Sequence, residues 1–123
     1  MQRDFTYVDD IVEGIIRVID NPPGGEKIWS GKSPDPCYSI APYKIYNIGN
    51  SNDVKLMDFI TAIENSLGIE AQKNFLPLQP GDVPATWAEV KDLAENLDYK
   101  PSTEVNNGVK KFVDWYKEYY LHV

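Results

Sequence analysis

The chain has 123 residues, 42% hydrophobic and 25% charged, which is the composition of one folded globular domain and excludes a disordered or low-complexity protein. A formal net charge of −7, with no cluster of Lys and Arg, argues against a nucleic-acid or anionic-membrane partner. A single cysteine excludes an intrachain disulfide, one His and one Cys cannot make the usual four-ligand zinc site, and no apolar run approaches the roughly 20 residues that span a bilayer.

Residues 3–8, rich in aromatic and β-branched side chains, predict a short strand. Asp10 and Glu13 have the spacing of a capping box for the helix that follows. Ile11, Val12, Ile15, Ile16, Val18 and Ile19 then fall within an arc of about 160°, an apolar face wide enough to need a core. Asn21-Pro22-Pro23-Gly24-Gly25 ends that helix. Residues 26–42 predict a long loop holding Trp29 and Cys37, and loops of that length are usually functional or mobile. Cys37, with no histidine near it in sequence, reads as a free thiol without a special role.

Ile45 and Ile48 predict a short strand over 43–50, closed by a Gly-Asn turn. Leu56, Ile60, Ile63 and Leu67 share one stripe of a helix over about 56–67, with Gly68 as its stop. Residues 70–78 alternate loosely and predict another strand. The next stretch, 79–89, is coded for turning: Pro80 presets φ, Gly81 accepts a positive φ, and Asp82 projects from the bend. Pro84 pushes Val83 toward an extended conformation, so the chain leaves the turn as a strand or a sheet edge. Such a segment is either a connector or a rigid loop presenting Asp82 and Trp87 to a ligand.

Val90, Leu93, Ala94 and Leu97 predict a short helix ending near Tyr99 and Pro101. The last helix starts near Ser102 or Thr103 and gathers Val105, Val109, Phe112, Val113, Trp115, Tyr116, Tyr119 and Tyr120 on one face, a core or interface stripe. His122 follows in the tail. About four helices and three short strands, without βαβ alternation, make an α+β chain with too little sheet for a complete α/β domain. The residues 1–123 therefore read as one piece of a larger fold, some of whose apolar faces await a partner.

A search for chemistry finds little. Gly24-Gly25 follows two prolines and opens no helix, the wrong context for a phosphate loop. No nucleophile elbow is present, and no tyrosine is followed four residues later by lysine. Asp9 and Asp10 read as strand-end and cap residues, not as a carboxylate pair. The residues alone describe a binding chain with no catalytic constellation and no metal site.

Four motifs, in order, give a family resemblance: Arg3-Asp4-Phe5-Thr6-Tyr7-Val8-Asp9-Asp10-Ile11, Ala41-Pro42-Tyr43-Lys44-Ile45-Tyr46-Asn47-Ile48-Gly49-Asn50, the stretch 79–88, and Phe112-Val113-Asp114-Trp115-Tyr116. Together they resemble the C-terminal part of nucleotide-sugar epimerases of the extended short-chain dehydrogenase/reductase family, on the branch of UDP-glucuronate 4-epimerase. The resemblance implies a UDP-sugar-gripping portion of an NAD-dependent enzyme that interconverts UDP-glucuronate and UDP-galacturonate, and the short apolar runs, with no basic n-region before an apolar h-region, read as cytoplasmic. The N-terminal Rossmann domain that holds NAD and a Tyr-x-x-x-Lys pair is absent from these residues, so the chain alone is expected to bind no NAD and to be inactive. Met1-Gln2 itself resembles internal family sequence, as in a truncated reading frame or a deliberately isolated domain. By the same resemblance Arg3 pairs with the diphosphate, Asp82 hydrogen-bonds the ribose, and Gln79 stands where other hexose epimerases carry a second phosphate-binding arginine, a weaker contact. Glu89 stands where the family usually has aspartate, while Tyr46 and Asn47 read as structural. Two alternatives stand beside this reading: a non-catalytic interaction domain that forms homo-oligomers through its bare apolar faces, and a part of a related dehydratase or decarboxylase.

Overall fold

A three-residue strand, β1 (Gln2–Asp4), is the centre of the computed structural model, which describes residues 1–121. It pairs antiparallel with β2 (Asp53–Lys55) and parallel with β3 (Ala85–Thr86), giving a sheet of order β2-β1-β3. The registers set Arg3 opposite Val54 on one side and Thr86 on the other. The helices are α1 (Val8–Asp20), α2 (Leu56–Leu67), α3 (Lys91–Leu97) and α4 (Val105–Tyr116), the last running on into a π-helical turn, Lys117–Leu121. The chain is α+β, as its pattern of helices and short strands predicts. His122 lies outside the described residues.

Two elements match their sequence signals closely. α2 spans Leu56–Leu67, and Gly68 closes it at φ 72°, the left-handed conformation that a residue without Cβ adopts at little cost. β3 follows Pro84 as an edge strand, where the missing proline N–H costs no ladder bond.

Several boundaries move. The strand predicted over 3–8 is only Gln2–Asp4, because Val8 already opens α1. No capping box forms: Tyr7 is the N-cap without a side-chain bond, Glu13 pairs with Arg17, and Asp10 turns to another part of the chain. Its carboxylate accepts from the Ser102 and Thr103 backbone N–H groups (3.2 and 2.9 Å) and from Thr103 Oγ1 (2.9 Å), so a tertiary contact displaces the local one. The strands predicted over 43–50 and 70–78 do not form; the first has a single bridge, Tyr38 to Lys44, and β2 lies downstream at Asp53–Lys55. Both segments lack a neighbouring strand, and alternation without a pairing partner makes no sheet. α4 begins at Val105, later than Ser102 or Thr103, since Asp10 holds both of those backbones.

The core lies between α2 and α4, where Ala62, Val109 and Val113 are buried with Phe59, Ile63, Leu67 and Val105 against them. Phe5, just past β1, stacks on Phe59 with centroids 4.0 Å apart and so joins the sheet to α2. A second buried group, Val90, Leu93, Leu97 and Pro101, surrounds α3. α1 approaches through Gly14, where a Cβ would lie 3.1 Å from Ile48 Cγ2. Most of the rest of its apolar face is bare, with Ile15, Ile16 and Ile19 at 46%, 46% and 69% exposure, while Ile11 and Val18 are half-buried. The predicted aromatic stripe of α4 divides the same way: Val109 and Val113 face the core, while Trp115, Tyr119 and Tyr120 form an exposed ladder of rings.

The chain presents 9194 Å² of accessible surface. A folded monomer of this mass, 14.0 kDa, presents about 6,700 Å². The difference, about 2,500 Å², is the size of one side of a large obligate interface.

Candidate functional site

The turn coded by Pro80-Gly81 forms as its chemistry requires. Gly81 has φ 88°, and the Asp82 N–H donates to the Gln79 carbonyl at 3.1 Å, the signature of a type II turn. The chain then runs to β3, with the Gln2 N–H donating to the Pro84 carbonyl at 2.8 Å. This stitching lays the far end of the turn beside Arg3.

Arg3 and Asp82, 79 positions apart in sequence, consequently meet: Nη2 donates to Asp82 Oδ1 at 3.0 Å. Nη1 donates to the Val83 and Gln2 carbonyls at 2.9 and 2.8 Å. The guanidinium is thus held by three acceptors, and its remaining N–H donors and Asp82 Oδ2 have no partner among the described residues. The side chains are 26% and 38% exposed, so the pair contributes at most about 1 kcal/mol to folding. Its geometry sets an acceptor and a donor side by side, facing solvent. Gln79 is not brought into this pair; its Nε2 donates back to the Pro77 carbonyl at 3.4 Å.

Glu89 and Asn47, near this edge, have structural partners. Glu89 accepts from the Lys91 N–H at 2.8 Å, at the start of α3, and Asn47 Nδ2 donates to the Glu89 carbonyl at 3.1 Å. Trp87 is 64% exposed.

Sequence reasoning missed the residue that organises the edge, Asp4. Oδ1 accepts from the Asn50 N–H at 3.1 Å, and Oδ2 accepts from Ser51 and Ala88 at 2.9 and 3.0 Å. One carboxylate therefore ties the loop before β2 and the segment after β3 to β1. Ser51 reaches it with φ 54°, and Gly49 lets the chain pass so close that a Cβ there would be 2.5 Å from Ala88 Cβ and 2.9 Å from Asp4 Oδ2. The available signal was an acid inside a predicted strand, but nothing local says that it will meet the amides of a Gly-Asn turn more than forty residues on.

A second cluster was also hidden. Lys44 Nζ donates to Tyr38 Oη at 2.7 Å and pairs with Asp92 at 3.0 Å, and Tyr38 Oη donates to the same Asp92 oxygen at 3.0 Å. Burial works to lower the pKa of this lysine, whose side chain is 6% exposed. The hydrogen bonds to Tyr38 and Asp92 and the Asp92 charge outweigh it and hold the ammonium above its usual range. The Lys44 and Tyr38 hydrogen bonds correspondingly hold the Asp92 carboxyl below its usual range. This Tyr-Lys contact, six residues apart, resembles a proton-transfer pair only in composition. The Tyr38 proton is committed to Asp92, and the three side chains pin the long loop to α3.

The residues present do not fit NAD. β1 leads into α1 through Phe5-Thr6-Tyr7, whose bulk denies a pyrophosphate the close backbone approach that a glycine-rich turn allows, and β2 leads into α2 with no connecting residue. Gly24 and Gly25 do not substitute, since neither opens a helix and a Cβ on Gly25 would lie inside contact with the Ile40 carbonyl. Among the described residues no three His, Cys, Asp or Glu side chains converge as metal ligands, and no helix is long and apolar enough to cross a membrane.

No family model matches the sequence. Individual proteins do. Over 120 residues the chain is 61% identical to protein CapI of Staphylococcus aureus, covering 98% of this chain and 36% of that protein. It is 43% identical over 122 residues to a probable UDP-glucuronate 4-epimerase of Rhizobium meliloti, again 98% of this chain and 36% of the relative. Its fold matches the crystal structure of UDP-glucuronic acid 4-epimerase from Bacillus cereus, in complex with UDP-glucuronic acid and NAD. That match has a TM-score of 0.71 and 27% identity, over 97% of this chain and 33% of that one. The chain belongs to the nucleotide-sugar epimerase family. This epimerase-family chain spans about a third of the length of the relatives it matches. The sugar chemistry in those names belongs to proteins three times as long.

Proposed function

We propose that this chain is the UDP-sugar-binding portion of an NAD-dependent nucleotide-sugar 4-epimerase. In the assembled enzyme it would hold the substrate for interconversion of UDP-glucuronate and UDP-galacturonate in the cytoplasm. Arg3 contacts the diphosphate, Asp82 the ribose, and Gln79 makes a weaker polar contact near the phosphates. The observation that carries the reading is the meeting of Arg3 and Asp82 at 3.0 Å, which sets a phosphate donor next to a hydroxyl acceptor. The chain's own part in the reaction is binding and orientation. When bound elsewhere in the enzyme, NAD supplies the hydride chemistry, and the residues described here are neither its site nor a catalytic pair.

The test is a 4-epimerase assay on UDP-glucuronate with added NAD, run on the chain alone and on the chain joined to the remaining two-thirds of a relative. Turnover only in the joined protein is expected. Turnover by the chain alone overturns the claim that it is inactive by itself.

The excess surface favours a second reading, in which the bare faces of α1 and α4 drive self-association of a non-catalytic domain. Sedimentation separates the two, because a clean monomer with little dye-accessible apolar surface removes the second.

A further inference from the structure

We propose that Asp82 is a specificity filter: paired with Arg3, it turns away bare phosphate and diphosphate ions and reserves the site for ligands that carry sugar hydroxyls beside a diphosphate. The inference rests on the reading of Arg3 and Asp82 as diphosphate and ribose contacts. Its basis is charge. Asp82 Oδ1 lies 3.0 Å from Arg3 Nη2, and Gln79, the third candidate contact, is neutral. The three side chains sum to zero, so an anion reaching for the guanidinium meets a carboxylate of equal charge at similar range.

What the ligand offers the carboxylate then decides the outcome. An ionised carboxylate only accepts hydrogen bonds, and a diphosphate ion near neutral pH is a multiply charged anion made almost entirely of acceptor oxygens, with few protons to donate. Bound alone, it would strip Asp82 of its partner and leave two anions side by side. A ribose diol brings O–H donors, and Asp82 Oδ2 has no protein partner among the described residues. A nucleoside diphosphate therefore satisfies the carboxylate and the guanidinium in one molecule. Rejecting a competitor by leaving it against an uncompensated charge is an effective route to discrimination, stronger than adding contacts to the preferred ligand alone.

The test is isothermal titration, with UDP, uridine and inorganic diphosphate, of the chain joined to the remaining two-thirds of a relative, repeated for Asp82→Asn, Asp82→Glu and Arg3→Gln, with circular dichroism to verify the fold of each. Asp82→Asn is expected to raise the affinity for diphosphate at least about tenfold, with no gain for UDP or uridine, while Asp82→Glu keeps the wild-type preference. A purely structural role for Asp82 would weaken all three ligands together and would not strengthen any. If Arg3→Gln abolishes UDP binding but Asp82→Asn leaves the ratio of UDP to diphosphate affinity unchanged, the filter is overturned and the nucleotide reading stands. If the wild-type joined protein does not bind UDP, or binds it regardless of Arg3→Gln, the nucleotide reading falls and the filter with it.

Discussion

Replacing Asp4 with alanine tests the organisation of the binding edge most directly. The substitution removes a carboxylate acceptor from three backbone N–H groups, those of Asn50, Ser51 and Ala88, of which Asn50 keeps a second acceptor in Thr6 Oγ1 at 3.2 Å. Hydrogen bonds to a charged partner contribute about 1.5–3 kcal/mol each in mutational series. The Ser51 bond is exposed, so water replaces it, whereas those of Asn50 and Ala88 are partly buried. A total loss of about 2–3 kcal/mol follows, most of it from Ala88, a large fraction of the 5–15 kcal/mol typical of a domain. With a urea m-value of about 1.5 kcal/mol/M, the midpoint should fall by about 2 M. Asp4→Asn should lie in between, because one carbonyl oxygen replaces two and the new NH2 faces an N–H. Native-state amide exchange should accelerate first at Ala88, Asn50 and Ser51. A midpoint change equivalent to less than about 0.5 kcal/mol, the level of an ordinary surface substitution, refutes the reasoning.

Gly49→Ala should cost about 1–3 kcal/mol by thermal melting, since its Cβ would meet Ala88 Cβ at 2.5 Å and the Asp4 tether prevents Ala88 from moving aside. Gly68→Ala, by contrast, meets nothing within 4 Å and should cost about 1 kcal/mol through φ 72° alone, read by the same melt. On the alkaline side two groups act together. Lys44 is held above its ordinary 10.5, and Tyr99, by burial and then by the charges of Asp10 and Glu13, above its ordinary 10.0. Both bind a proton more tightly folded than unfolded, so their contribution is complete below about pH 10 and is lost as pH rises through the folded values. Urea midpoints should therefore fall above pH 10, and Lys44→Met should flatten part of that fall.

What the sequence disclosed follows from the range of each interaction. α2 was legible from one end to the other because an apolar stripe and a terminal glycine both act within a few residues. The Pro80-Gly81 turn was legible for the same reason. The strands were not: 43–50 has the side chains of a strand but no neighbour to pair with, while Asp53–Lys55 is polar at both ends and is a strand only because β1 lies beside it. Asp10 shows the same limit in a single residue, its capping spacing giving way to Ser102 and Thr103 more than ninety positions on. At the candidate site the turn and the charges of Arg3 and Asp82 were readable one by one. Their pairing was not, because it depends on the parallel register of β1 and β3.

Periodicity reports that a face will be covered, not what covers it, and α1 makes that distinction testable. Its stripe is as regular as that of α2, yet α2 buries Ala62 against α4 while α1 buries only Gly14. If the stripe of α1 contributed to this chain's own core, charging it would unfold the chain, since burying an unpaired lysine is among the few changes that cost several kcal/mol. Ile15 and Ile19 are 46% and 69% exposed, so the double change Ile15→Lys with Ile19→Lys should move the urea midpoint by the equivalent of less than about 1 kcal/mol. The same change should sharply lower the binding of a hydrophobic dye and reduce any sedimenting oligomer, because it places two charges on a bare helix face of a chain that exposes about 2,500 Å² more than its mass accounts for. A midpoint loss of 3 kcal/mol or so would refute this, and would show that the face of α1 is already closed within the chain.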